Sequence, residues 1–363
     1  MPPVQPPPRR PFRKFPFFGA CLALCLAALE LYARIKVTAT PAGQALARYR
    51  PDGHAHAVFL GSSLTDAGIR TELLDSLQAA REGGAPPFRS FNLALAGLNG
   101  SANYYLLFKN FILPRGRPGY LVVEAPGVPF FPPADPFRLE GDGLRVESFR
   151  PELMEYRDFR YLAGGFPGAA ASLSFWLHKH WRAYHYRLEI QARIHERLSG
   201  LLGRFPDAPP AGDAGTGREP YPVYHMAADA YAMFAESTRK DLERMEAPGG
   251  VAAMRRREAH LLDLAASARA NGVRLVVLKP PCPPRDRETA KVPAFGLYDQ
   301  GFRALCDSLG VRYLDLSGEK SCGPYAFPDG IHLDPASARR FTACVSRALI
   351  APYSAPSCPH TGN

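Results

Sequence analysis

Apolar and polar positions along the chain fall into two rhythms. Short apolar runs at residues 56–60, 88–95, 120–125, 273–278 and 311–316 end at breaks such as Gly61, Pro126 and Lys279-Pro280, and predict strands. Longer stretches with three-to-four-residue apolar spacing predict helices. The first covers 69–81, carried by Ile69, Leu73, Leu74 and Leu77, and the second covers 102–113 before Pro114. Further helices are predicted over 252–270, capped by Asn271-Gly272, over 295–309, closed by Gly310, and over 336–350. Strands thus alternate with helices. Leu121-Val122-Val123 and Leu275-Val276-Val277-Leu278 are apolar at successive positions, as in strands covered on both faces. The pattern predicts a doubly wound α/β domain on a parallel five-stranded sheet, with ligands at the carboxyl ends of the strands.

Between the third and fourth strands the alternation stops. Residues 129–250 predict a mostly helical insertion, with helices over 175–202 and 231–245 around a Pro/Gly/Asp/Ala stretch at 205–222. It reads as a lid, a docking surface or structural padding. The chain therefore divides into a basic tail and anchor (1–36), a linker (37–55), a first half-domain (56–128), the insertion (129–250), a second half-domain (251–352) and a tail (353–363).

The anchor rests on the N-terminus. Arg9, Arg10, Arg13 and Lys14 precede an apolar run from Phe15 to Leu29, with Glu30 before Leu31, Tyr32 and Ala33. No good small-x-small cleavage site follows, so the run reads as an uncleaved membrane helix with the basic end cytoplasmic and the domain outside. Of the cysteines beyond it, Cys282, Cys306, Cys322, Cys344 and Cys358, an odd number leaves at least one unpaired, and no CxxC spacing suggests metal. Composition adds little more: 46% hydrophobic and 21% charged residues are globular values. The net charge of +10 is scattered outside the first residues, which argues against nucleic acid. His178 and His185 lie seven apart on one predicted helix, too far apart to share an ion, and read as an amphipathic or substrate-facing surface.

The chemistry falls at strand ends. Ser62 and Ser63 follow the first strand and precede a helix, where the helix N-terminus aims unpaired N–H groups at a hydroxyl. The same serines also suit a plain helix cap. Near the other end, Asp329-Gly330-Ile331-His332 places a carboxylate three residues before an imidazole, the spacing in which one ring nitrogen is held and the other faces a hydroxyl as base. Asp334-Pro335 beyond it reads as a helix cap followed by Pro in the first turn. Glu124, at the end of the third strand, reads as a substrate contact or a cap.

Together these segments resemble the SGNH (GDSL-like) hydrolase superfamily, from residue 58 to 349 with the insertion between. Gly61-Ser62-Ser63-Leu64 looks like its first block, with Ser63 as nucleophile and Ser62 in place of the usual aspartate. Asn92-Leu93-Ala94-Leu95-Ala96-Gly97 resembles the second block, which assigns an oxyanion-hole N–H to Gly97 beside that of Ser63. Asp329-x-x-His332 looks like the last block. The third block departs: Ala125-Pro126-Gly127 stands where the family carries Gly-x-Asn. Asn99 or Asn103 replaces that donor, or the hole is smaller. The resemblance implies a flavodoxin-like sheet order, no metal or organic cofactor, and a catalytic Ser63, Asp329 and His332. Anchored envelope members imply an extracytoplasmic esterase or O-acyltransferase acting on an acyl ester of a glycan or lipid, beside a membrane-bound O-acyltransferase. The alternative is a non-catalytic scaffold that binds glycan or an envelope partner.

Overall fold

The sheet assembles from five parallel strands, β1 Ala57–Leu60, β2 Ser90–Asn92, β3 Tyr120–Glu124, β4 Arg274–Lys279 and β5 Arg312–Asp315, in the order β2-β1-β3-β4-β5. This is the flavodoxin-like order. The computed structural model describes residues 15–37, 46, 49, 55–82, 88–95, 100–125, 154–158, 168–185, 190, 191, 194, 243, 246–249, 260–284, 287, 291–318 and 322–350. Register aligns Leu60 with Val123, and Glu124 with Leu278, so β1 and β3 finish at the same edge.

Alternation along each strand fills two cores. Val58, Leu60, Leu121, Val123, Leu275 and Val277 face one side, packed by α4 Ser101–Leu107, α7 His260–Ala270 and α8 Pro293–Ser308. Ala57, Phe59, Val122, Val276 and Leu278 face the other, packed by α3 Thr71–Glu82 and α9 Pro335–Ile350 through Leu74, Phe341, Val345 and Leu349. A sheet apolar on both faces needs helices on both, and receives them.

Several expected elements take another form. The helix expected over 69–81 begins instead as α3 at Thr71, and a separate short α2, Ser63–Gly68, precedes it. The two are parted by Ile69, which is extended at φ −104° and ψ 117°. The Asn92 side-chain amide donates to the carbonyls of Thr65, Asp66 and Ile69 at 3.1, 3.3 and 3.2 Å, replacing the helical partners lost there. The strand expected over 88–95 pairs as β2 only at 90–92, yet Leu93 and Leu95 still donate to the Phe59 and Gly61 carbonyls at 2.9 Å each. α4 passes into a wider turn at Phe108–Ile112 and a tight one at Leu113–Arg115 around Pro114. α7 is described from His260, and ends in a turn where Gly272 takes φ 68° and Val273 N–H reaches the Ala268 carbonyl.

Within the insertion, α5 Ala169–His180 stops at extended Trp181, where one longer helix was expected, and α6 Arg182–His185 follows. The helix expected at 231–245 lies almost wholly outside the described residues, and the stretch 205–222 entirely so. Buried Asp158 fastens the insertion to the domain, accepting from Lys109 Nζ at 2.6 Å, Asn110 Nδ2 at 2.8 Å and Glu155 N–H at 2.9 Å. Tyr49, within the segment read as linker, is buried edge-on against Phe91 at 5.0 Å.

The anchor expectation meets α1 Phe15–Tyr32, continued by a wider turn at Ala33–Val37. Among the described residues no helix is long and apolar enough to cross a membrane. The 18 residues of α1 rise about 27 Å, short of the ~30 Å hydrocarbon core. Leu22, Leu24, Leu29 and Leu31 stand exposed, while Glu30 pairs with Arg34 and accepts from Ala183 N–H of α6 at 2.9 Å. Among the described residues one disulfide joins Cys322 to Cys344.

Candidate active site

The site starts where β1 ends. Ser62 is fully buried and caps α2, its Oγ accepting from Leu64 N–H at 3.2 Å. Ser63 is therefore the first residue of α2, and its side chain leaves the turn at the sheet's carboxyl edge. Glu124, at the end of β3, lies beneath this turn. Its Oε1 accepts from Ser62 Oγ at 2.7 Å. Its Oε2 accepts from Ser62 N–H at 2.9 Å, Thr65 N–H at 3.3 Å and Thr65 Oγ1 at 2.5 Å. Gly61 makes the approach possible, because a Cβ there would collide with Thr65 and come within 2.6 Å of Glu124 Oε2. Burial pushes the Glu124 carboxyl above its ordinary range, against the pull of the bonds from Thr65 and Ser62.

These bonds allocate the free N–H groups of the first turn. Glu124 takes those of Ser62 and Thr65, Ser62 Oγ takes that of Leu64, and Asp66 N–H reaches the Ser62 carbonyl at 3.0 Å. Among the described residues no acceptor meets the N–H of Ser63 itself. That donor is bonded to the same Cα that carries the Ser63 hydroxyl, beside the place where an oxyanion formed by attack would sit.

The partner groups arrive from the other end of the chain. Ser63 Oγ lies 2.8 Å from His332 Nε2, and His332 Nδ1 lies 2.6 Å from Asp329 Oδ2. The other carboxylate oxygen, Oδ1, accepts from His332 N–H at 2.7 Å and Ile331 N–H at 3.0 Å. With Asp329 as acceptor, Nδ1 carries the proton and Nε2 is left to accept from Ser63. Burial opposes ionisation of Asp329, yet the bonds from the His332 ring and from the His332 and Ile331 N–H groups outweigh it and hold the carboxyl below its usual range. The turn that sets this geometry needs φ 78° at Gly330.

α9 holds both halves. Asp334 caps it, accepting from Ser337 N–H at 2.6 Å through its side chain, with Pro335 at the first position. Further along, Thr342 Oγ1 donates to the Gly68 carbonyl at 3.1 Å and accepts from Arg70 N–H at 3.0 Å, gripping the end of α2. Phe341 packs its ring against Gly68, and Cys344 ties α9 to Cys322 ahead of the Asp329 loop.

The structure thus brings Ser63, Asp329 and His332 together. Glu124, read from the sequence as a substrate contact or a cap, instead lies buried under the serine turn and spends both oxygens on Ser62 and Thr65. Asn103 is buried on α4, while Gly97 and Asn99 lie outside the described residues. His178, in the histidine cluster of the insertion, is buried, its Nδ1 2.8 Å from the Ser174 carbonyl. The sequence assigns no role to Thr65, and none to Gly61 beyond its place in the serine block. Their signal was available only as small and hydroxylated positions flanking a serine, which many turns share.

No family model matches the sequence, and no curated protein does. Among solved structures the chain is similar to TesA, at 14% identity and TM-score 0.37 over 82% of this chain and 98% of that one. It is similar to a lipase/acylhydrolase from Enterococcus faecalis at 10% identity and TM-score 0.35, over 81% of this chain and 95% of that one. A mutant acetyl-xylooligosaccharide esterase from Geobacillus overlaps at 12% identity and TM-score 0.36, over 80% of this chain and 92% of the esterase. Overlaps this loose leave the chemistry to this chain's own residues.

Proposed function

We infer that the chain is a serine esterase or O-acyltransferase working through an acyl-Ser63 intermediate. The observation that carries the reading is the unbroken relay from Ser63 Oγ through His332 to Asp329, at 2.8 and 2.6 Å, beside a Ser63 N–H that no acceptor among the described residues takes. Ser63 Oγ attacks the acyl carbonyl carbon as His332 Nε2 takes the hydroxyl proton, and Asp329 stabilises the imidazolium. The carbonyl oxygen becomes an oxyanion held by the Ser63 N–H. Collapse breaks the ester C–O bond, His332 returns the proton to the departing alcohol, and the acyl group remains on Ser63. Water or an acceptor hydroxyl then repeats the cycle, giving the acid or a new ester.

The proposal extends to the substrate and the place. The acyl ester belongs to a cell-envelope glycan or lipid, outside the cytoplasmic membrane, with the acyl group delivered in concert with a membrane-bound O-acyltransferase. Support comes from the exposed leucines of α1 behind a basic tail, and from a disulfide suited to an oxidising compartment. A short apolar helix is accommodated by local thinning of the bilayer and by flanking residues that reach the interface. The insertion, fastened to α1 through Glu30 and to the domain through Asp158, presents the acceptor.

Fluorophosphonate labelling tests the core of the reading: wild type becomes labelled at Ser63, and Ser63→Ala does not. Slow turnover of p-nitrophenyl acetate, with acyl-enzyme breakdown accelerated by an envelope polysaccharide, is expected of a transferase. Fast hydrolysis indifferent to glycan marks a plain esterase, and an unlabelled wild type refutes catalysis. Reporter fusions after Ala33 and at the C-terminus, both active in the periplasm, are expected from the topology.

A further inference from the structure

Glu124 is a buried carboxylate at this sheet edge that the relay does not use. It is fully enclosed, and its four hydrogen bonds come from Ser62 and Thr65, the residues that bracket the nucleophile and its neighbour. Nothing about stability alone requires both backbone donors of the turn and both hydroxyls to converge on a single side chain. Their convergence has a chemical consequence. Once Ser62 N–H and Thr65 N–H point down at the carboxylate, and Leu64 N–H is held by Ser62 Oγ, the turn is rotated so that Ser63 alone presents its N–H and its hydroxyl upward.

Resting on the serine-hydrolase reading above, we propose that Glu124 is a positioning residue, which aims the Ser63 hydroxyl at His332 and keeps the Ser63 N–H free as oxyanion donor by claiming its neighbours. It touches neither substrate nor the reacting atoms. It acts through the 62–65 turn, as Asp329 acts through the imidazole ring. The nucleophile and the base are thus each set by a buried carboxylate, one from β3 and one from the loop before α9.

The substitutions differ in what they leave behind. Glu124→Gln keeps an oxygen for the three donors at Oε2 and turns an amide toward Ser62 Oγ, which then accepts. Glu124→Ala releases all four donors. Gly61→Ala leaves Glu124 intact but drives a Cβ to within 2.6 Å of Oε2, displacing the carboxylate. A misplacement of about 1 Å at a nucleophile costs about 10²-fold. The expected loss in the fluorophosphonate labelling rate constant is therefore about 10²-fold for Glu124→Ala and Gly61→Ala, and about tenfold for Glu124→Gln. For p-nitrophenyl acetate the loss falls in kcat, with KM within about twofold, because the missing interaction belongs to the transition state.

Rates are taken per folded molecule, with folding followed by melting temperature. Partial recovery in Glu124→Gln over Glu124→Ala, at matched folded fraction, supports the proposal. Lower melting temperatures with wild-type labelling rates in all folded variants overturn it and leave the hydrolase reading standing. A wild type that Ser63-directed probe never labels overturns both.

Discussion

Replacing Asp329 by asparagine separates orientation from shape. In the wild type Oδ1 accepts from two backbone N–H groups, at 2.7 and 3.0 Å, while Oδ2 faces His332 Nδ1 at 2.6 Å. An asparagine has one acceptor, and the two backbone donors claim it, since turning the amide nitrogen toward them would set donor against donor. The amide nitrogen must then face Nδ1. The ring answers by accepting there and carrying its proton on Nε2, which can no longer receive the proton of Ser63. The expected loss in kcat is about 10⁴-fold, as for a triad held in the wrong tautomer. That corresponds to about 5.5 kcal/mol of transition-state stabilisation. Stability suffers less, about 1–3 kcal/mol for one charged hydrogen bond, because both backbone bonds survive. Initial rates on p-nitrophenyl acetate, with a melting curve on the same sample, measure both. A folded Asp329→Asn enzyme within about tenfold of wild type, while Ser63→Ala is inactive, would refute the tautomer argument and the role given to Asp329.

Other outcomes follow from the supports around the site. Thr342→Val removes the hydrogen bonds to the Gly68 carbonyl and from the Arg70 N–H at a buried position, so it should cost about 1–3 kcal/mol in denaturant unfolding and lower the labelling rate of Ser63. Replacing Cys322 and Cys344 by serine opens a link across 22 residues that enclose Asp329 and His332, at a cost of about 3 kcal/mol read from the same titration. Asp75 is pushed up to about 6 by burial, against hydrogen bonds from Ser90. The unfolded chain releases that proton at lower pH than the folded one, so this group's contribution to stability falls as pH rises from about 4 to about 6. Asp75→Asn should flatten that part of a melting-temperature profile and gain on wild type toward neutral pH.

What was legible in the sequence was whatever depends on neighbours in the chain. Strands such as Val276 to Leu278 announce themselves because burial on both faces leaves no polar position to mask the run. Ser63 and the Asp329/His332 pair were visible because each is local: a hydroxyl at a strand-to-helix turn, and a carboxylate three residues before an imidazole. The break between α2 and α3 was not legible, because the Asn92 side chain that caps it comes from another strand. Nor was the working face of Glu124. A carboxylate ending an apolar strand reads as a substrate contact or a cap until the partner strand is known, and only the register of β1 on β3 sets it beneath Ser62.

The same distinction explains how the site tolerates so plain a nucleophile motif. Ser63 and His332 are 269 residues apart in sequence, and each sits on a short turn that by itself has many conformations. Fixing a turn costs about 1–2 kcal/mol of backbone entropy per residue, so neither turn holds its geometry without an outside anchor. Glu124 supplies the anchor on one side, and the α9 cap with the disulfide supplies it on the other. α9 then joins the two, because the helix that starts just after His332 also grips Gly68 at the end of the nucleophile helix. The distance between Ser63 and His332 is therefore set by one rigid element rather than by two independent loops. A substitution at Thr342 or Phe341, with no contact to either reacting atom, should shift that distance more than an equal change in stability elsewhere in the sheet.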